Sequence, residues 1–134
     1  MTPNCKHFRK RGAILAYLRE SKEHPSAETV YAGLKSQLPD LSLGTVYRNL
    51  SLFKQQGLAV SLGTVNGVER FDGTTEPHVH FICSGCGRIV DLIEVEIPAA
   101  LESEAAQCTG GRVSGCQMIF SGTCRECLRK EETA

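Results

Sequence analysis

No apolar run in this 134-residue chain approaches the roughly 20 residues a helix needs to cross a bilayer, so no membrane-spanning helix is expected. No secretory leader is expected either. The opening "MTPNCKHFRKRGAILAYL" is basic and then apolar, but "AILAYL" falls short of the roughly 7–15 residues of a leader's apolar core. A cytoplasmic location is therefore expected. There is no His-Glu-x-x-His and no nucleophile elbow, so neither a zinc protease nor a serine hydrolase is signalled. Nor is there any net charge, with fifteen Lys/Arg against fifteen Asp/Glu.

That neutrality hides a division. Residues 1–60 carry nine Lys/Arg against four Asp/Glu, whereas residues 61–134 carry six against eleven. A basic half suits a polyanion, and the acidic half must have another task. At 41% hydrophobic and 22% charged residues, the composition is that of a globular protein with one ordinary domain or two very small ones.

Helical periodicity organises the first half. Residues 10–20 set Ile14, Tyr17 and Leu18 on one face. A second helix is expected from the N-cap Ser26 to just before Pro39, with Val30, Tyr31, Leu34 and Leu38 turned inward. A third starts at Ser42, carries Val46, Leu50 and Phe53 inward, and stops at Gly57. Two strands around Asn66-Gly67 follow, the strongest short hairpin signal. Three helices and a hairpin make a winged helix with the third helix in the recognition position. Its polar face offers Ser42, Thr45, Tyr47, Arg48 and Asn49, side chains able to reach bases and phosphates. Arg11, in the basic opening segment, is a further candidate contact to double-stranded DNA.

The expected division is a winged-helix DNA-binding domain over residues 1–72, a hinge at 73–77 and a metal-binding dimerisation domain over 78–134. In the last of these, strands are expected in "VHFIC" and "RIVDLIEV", a helix over about Pro98–Gln107, and a strand in "GRVSGCQMIFSG". So small an α/β unit buries little core alone and needs a staple, a partner subunit or both.

Seven cysteines without a leader point to metal or redox chemistry instead of a disulfide framework. Cys83 and Cys86 in "CSGC", with Cys124 and Cys127 in "CREC", supply four thiolates, the donor set of a closed tetrahedral zinc site. A thioredoxin-like redox pair would open a helix after a strand in a βαβ unit, which neither pair is expected to do. An iron–sulfur or rubredoxin-like centre uses the same ligands. Cys5, Cys108 and Cys116 match no ligand motif.

In "EPHVHFICSGCGRIVD", His78 and His80 stand two apart on one strand and project from one face. A hairpin symmetric about the cysteine turn would pair Cys83 with Cys86, His80 with Ile89 and His78 with Asp91, placing Asp91 on that face. Such a set is a candidate metal site. A metalloenzyme built on it would need a general base and a substrate pocket, for which no motif is present. Taken singly, His24 reads as a loop residue before Pro25 and Asp72 as a turn cap.

The ordered motifs "HPSAETVY", "LSLGTVYRNL", "GVERFDGTTEPHVHFICSGCGRIVD" and "CREC" together resemble the ferric uptake regulator family of bacterial repressors, and most of all its peroxide-stress branch. The resemblance runs from about Lys10 over nearly the whole chain. It implies a homodimer that binds operator DNA, with structural Zn2+ on Cys83, Cys86, Cys124 and Cys127. It also implies a regulatory Fe2+ or Mn2+ on His24, Asp72, His78, His80 and Asp91. In that branch, peroxide reacts at bound Fe2+ and oxidises a ligand histidine, here His24 or His78, so that DNA is released without enzymatic turnover. The alternative within the family is an iron-, manganese- or zinc-responsive repressor that does not sense peroxide. Pro77 and Val79, with Cys116, occupy positions that iron-sensing members use for an extra metal site, and Pro77 and Val79 have no donor to offer it.

Overall fold

A computed structural model of the chain describes residues 4–133, and the side chains of residues 8–133. Cys5 lies outside the described side chains. Residues 1–75 and 76–134 form two compact units.

The first unit is three helices and a hairpin: α1 Asn4–Glu20, α2 Ala27–Leu34, α3 Leu43–Gln56, β1 Val60–Val65 and β2 Val68–Asp72. This is the expected winged helix. Helix α1 begins at Asn4, six residues before the segment expected from Lys10, since residues 4–9 contain no glycine or proline to stop it. Helix α2 ends regularly at Leu34, short of the boundary expected at Pro39. The Leu38 N–H still donates to the Leu34 carbonyl at 2.9 Å, which keeps Leu38 in the core. Both internal helices are capped as their serines require. Ser26 accepts from the Thr29 N–H at 3.2 Å and Ser42 from the Thr45 N–H at 3.1 Å. Ser42→Ala is expected to lower unfolding free energy by about 1 kcal/mol, visible as a shift of the urea midpoint with an unchanged slope.

Ile14, Leu18, Val30, Leu34, Val46, Leu50, Phe53 and Phe71 make one buried cluster, with Tyr17 and Tyr31 packed against it. In the wing, Val65 pairs with Val68 across Asn66 and Gly67, whose φ values of 52° and 83° suit the two-residue hairpin turn.

The second unit contains β3 Val79–Cys83, β4 Ile89–Leu92, α4 Ala100–Thr109, β5 Ile119–Gly122 and α5 Arg125–Thr133. Its sheet has the order β4-β3-β5, with β3–β4 antiparallel and β3–β5 parallel. Antiparallel β4 returns the chain to the end where β3 began, and the connection containing α4 takes it past β3 to the far edge, so that β5 runs parallel to β3. The second expected strand is cut short at Leu92, where the Val95 N–H turns back to the Leu92 carbonyl. Helix α5 was not expected, although "RECLRKEET" is composed largely of strong helix formers. Neither α4 nor α5 has a buried residue, and the unit's buried apolar side chains are few: Val79, Cys83, Ile89 and Cys124. No helix among the described residues is long and apolar enough to cross a membrane.

Candidate metal centres

The four motif cysteines meet in the second unit. Cys83 ends β3, and the turn after it spends more residues than a symmetric hairpin would. The Cys83 N–H donates to the Arg88 carbonyl at 2.9 Å and the Gly87 N–H to the Cys83 carbonyl at 2.9 Å, with Gly87 in the left-handed region at φ 77°. Ser84 is stitched to the end of β5 through the Gly122 carbonyl, at 2.8 Å from its N–H. Two residues later Cys124 starts α5, its carbonyl accepting from the Leu128 N–H at 2.8 Å, and Cys127 lies on the first helical turn. The second Cys-x-x-Cys pair therefore opens a helix after a strand, but no strand follows α5 among the described residues, so the pair does not sit in a βαβ unit. Its thiols turn toward the first pair.

All four Sγ atoms lie within 4.8 Å of one another, and Cys86 Sγ is 3.7 Å from Cys124 Sγ. A disulfide holds its sulfurs at about 2.05 Å. Four sulfurs at about 2.3 Å from a central zinc would stand about 3.8 Å apart in a tetrahedron, so the spacing fits zinc. Gly85 leaves room for this, because a Cβ there would approach Cys127 Sγ to 3.3 Å.

The electrostatics agree. Donation from the backbone N–H groups of Cys124 and Cys86 draws the Cys83 thiol down to about 6. Cys127 is pushed up to about 12 by the neighbouring thiols, Cys124 first and then Cys83. Cys83 is thus ready as a thiolate near neutral pH, and a dication is what allows the fourth thiol to follow.

The histidine and aspartate candidates fall in two groups, one in each unit. In the second, β3 and β4 pair with His80 opposite Asp91 and Ile82 opposite Ile89. This corrects the expected pairing of His78 with Asp91 by two residues, the difference coming from the longer Cys83–Arg88 turn. A two-residue shift preserves the face. His78 Nε2 and His80 Nε2 therefore converge on the same oxygen, Asp91 Oδ1, at 3.2 and 3.3 Å. The rings lie 4.1 Å apart, centre to centre. His78 Nδ1 is 2.7 Å from the Glu76 carbonyl. A proton on Nδ1 donated there leaves the Nε2 lone pair for a ligand, the arrangement metal-binding histidines use.

In the first unit, His24 Nε2 stands 3.5 Å from Asp72 Oδ2, both residues buried. The other oxygen of Asp72 accepts from the Thr74 N–H at 2.8 Å, so turn-capping and pairing with His24 are shared by one carboxylate. His24 has φ 55°, a left-handed conformation that costs a non-glycine residue of order 1–3 kcal/mol. The Phe71 N–H anchors the next residue through the Pro25 carbonyl at 3.0 Å. Asp72 is set equally tightly, since a Cβ on the following Gly73 would come within 2.7 Å of the Leu18 carbonyl carbon. Nitrogen and carboxylate donors without thiolate are a donor set that suits Fe2+ or Mn2+.

On α3, Tyr47 and Arg48 are exposed. Ser42 and Thr45 are engaged in the helix cap, and Arg48 Nη2 donates to Thr45 Oγ1 at 3.0 Å. The Tyr47 hydroxyl donates to Glu28, which holds the Glu28 carboxyl below its usual range and raises the Tyr47 phenol. Arg11 and Asn49 engage each other, Nε to Oδ1 at 3.2 Å, while Asn49 also donates to the Thr45 carbonyl at 2.9 Å. Asn49 thereby ties α1 to α3.

A profile of the Ferric uptake regulator family matches residues 3–121. The chain belongs to that family. It is 41% identical over 124 residues to the Bacillus subtilis protein named peroxide operon regulator, covering 91% of this chain and 83% of that one. It is 37% identical to the peroxide-responsive repressor PerR of Staphylococcus epidermidis, covering 92% and 80%. Among solved structures, the Campylobacter jejuni peroxide stress regulator is similar at a TM-score of 0.80 and 28% identity, covering 92% of this chain and 93% of that one. The ferric uptake regulator of Francisella tularensis, solved with iron, is similar at 0.70 and 26%, covering 88% and 90%.

Proposed function

We propose that this chain is a metal-dependent transcriptional repressor that senses hydrogen peroxide. The observation that carries the reading is the donor pattern: a thiolate-only cluster for one metal, and imidazole–carboxylate donors set apart from it for another. Relatives named for peroxide response, at 41% and 37% identity, support the choice of signal.

In this reading Cys83, Cys86, Cys124 and Cys127 hold structural zinc. His24 and Asp72 from the first unit join His78, His80 and Asp91 from the second around one Fe2+ or Mn2+. That metal fixes the winged helices of a homodimer at the spacing of operator half-sites. Arg11, Ser42, Thr45, Tyr47 and Arg48 are the DNA-facing set, with Tyr47 and Arg48 the leading contacts. The second copy covers apolar side chains that one chain leaves exposed, notably Ile93, Phe120 and Leu128. Residues 1–72 are the DNA-binding domain, 73–77 the hinge and 78–134 the dimerisation domain, and the protein works in the bacterial cytoplasm.

His24, Asp72, His78, His80 and Asp91 would hold Fe2+, which would activate hydrogen peroxide beside the ring carbons of His24 and His78. The two-electron oxidation would fall on one of those histidines, which would gain one oxygen atom while the other oxygen left as water. An oxidised imidazole no longer donates its lone pair, so the clamp opens and DNA is released. Each event consumes a sensor, which distinguishes it from enzymatic turnover. Mn2+ in the same ligands represses without sensing.

The test is operator DNA binding by Fe2+-loaded and Mn2+-loaded protein before and after low peroxide, with mass spectrometry of the His24 and His78 peptides. Loss of binding in the iron form alone, with one added oxygen on either histidine, is the expected result. Unmodified histidines and retained binding would assign the protein to metal-level sensing instead.

A further inference from the structure

His24 is held in its left-handed conformation by one side chain. Arg70 Nη2 donates to the Glu23 carbonyl at 2.6 Å and Arg70 Nε donates to the His24 carbonyl. With Phe71 N–H on the Pro25 carbonyl at 3.0 Å, three successive carbonyls of the 23–25 loop are fastened to two successive residues of β2. The next residue of that strand is Asp72. Along a strand, side chains two apart share a face: Arg70 and Asp72 lie on one, and Phe71, buried in the core, lies on the other.

We infer that Arg70 is a positioning residue for the regulatory metal, presenting the His24 imidazole beside Asp72. The inference rests on the reading of His24 as a ligand. The chemistry calls for arginine in particular. A residue before proline is driven toward extended backbone, and positive φ is uncommon for any residue other than glycine. Its peptide orientation must therefore be imposed from outside. The planar guanidinium offers two N–H groups in a fixed fork, so it engages two consecutive carbonyls together. An ammonium is a single point and can reach one or swing between them. Arg70 never touches the metal. It sets the direction from which Nε2 arrives, which groups behind metal-binding histidines commonly do.

A merely structural clamp would alter stability and leave metal affinity alone, so both are measured. Full-length, zinc-loaded R70K, R70A, H24A and the double variant R70K/H24A would be titrated with Mn2+, following free Mn2+ by its electron paramagnetic resonance signal. Melting temperature and zinc content would be recorded in parallel.

The expected result is weakening of Mn2+ binding by roughly 10–100-fold in R70K, with zinc content unchanged and melting close to that of the parent. The double variant should bind no more weakly than H24A alone, to within about threefold, because both changes remove one coupled interaction. Parental affinity in R70K and R70A, with H24A clearly weakened, would overturn the positioning role while keeping His24 as a ligand. Parental affinity in H24A would remove His24 from the site and the role of Arg70 with it. Should R70A fail to fold, R70K decides the matter, since lysine retains the charge and most of the stem.

Discussion

Cys124→Ser is expected to strip the chain of its zinc and unfold residues 76–133. Two contributions would be lost together. The Cys124 thiolate, 3.7 Å from Cys86 Sγ, is one of the four proposed ligands, and its replacement would break the closed tetrahedron. The unit has little else to fall back on, since α4 and α5 bury no residue and its buried apolar side chains are few. Structural zinc binds such peptides with an apparent 10–16 kcal/mol near neutral pH, which exceeds what so small a core supplies. The measurements are zinc per chain by elemental analysis and amide hydrogen exchange over residues 76–133. Full zinc occupancy with protected amides in the variant would mean that the cysteines do not carry the fold. A native chain whose thiols titrate freely and contain no zinc would revive the redox reading. Chelation should reproduce the effect of the substitution and, because ligation displaces protons, should become easier as pH falls.

Phe53→Ala is expected to damage the other unit selectively. Phe53 is 1% exposed and is the largest of the fully buried side chains, and its carbonyl accepts the Leu58 N–H at 2.8 Å where α3 ends. Truncating a buried phenylalanine costs about 3–5 kcal/mol, part from lost transfer and part from the cavity. A unit of this length has roughly 4–11 kcal/mol in all. Most of the winged helix's stability is therefore at risk, and α3 would lose its seat before any DNA-facing residue is touched. Helical circular dichroism and operator binding should both fall, while zinc content stays at the parental value because all four cysteines lie in residues 76–134. A variant that melts normally would place the stability of this unit elsewhere than in its core cluster.

The helices and the cysteine set were legible because each announces itself locally. Ser26, Ser42 and Gly57 mark helix ends by their own capping chemistry, and the inward stripe Val46, Leu50, Phe53 follows the helical period. Two Cys-x-x-Cys pairs declare a tetrahedral site without knowledge of the path between them. The strand register was another matter. It depends on how many residues the cysteine turn absorbs, and that turn is tied to the distant end of β5 by the bond from Ser84 N–H to the Gly122 carbonyl, a tertiary outcome. Helix α5 was hidden by the motif at its start, which drew attention to ligands and away from the helix formers behind them. Arg70 carried no signal at all, because the carbonyls it serves lie 46 and 47 positions away. His24 and Asp72 were ordinary in isolation and became candidates through family likeness alone.

The corrected register has an implication for how this hairpin can change over generations. His80 faces Asp91, with the cysteine turn closing the same ladder. One pleat repeat is two residues, so slips of β4 against β3 are not graded in severity. A slip by two re-sites the carboxylate along the same side of the sheet, within reach of a neighbouring imidazole. A slip by one would send Asp91 through to the opposite side and leave the imidazoles without it. The ladder is subject to an even-number rule, and a change in this hairpin is tolerated only where it keeps that parity.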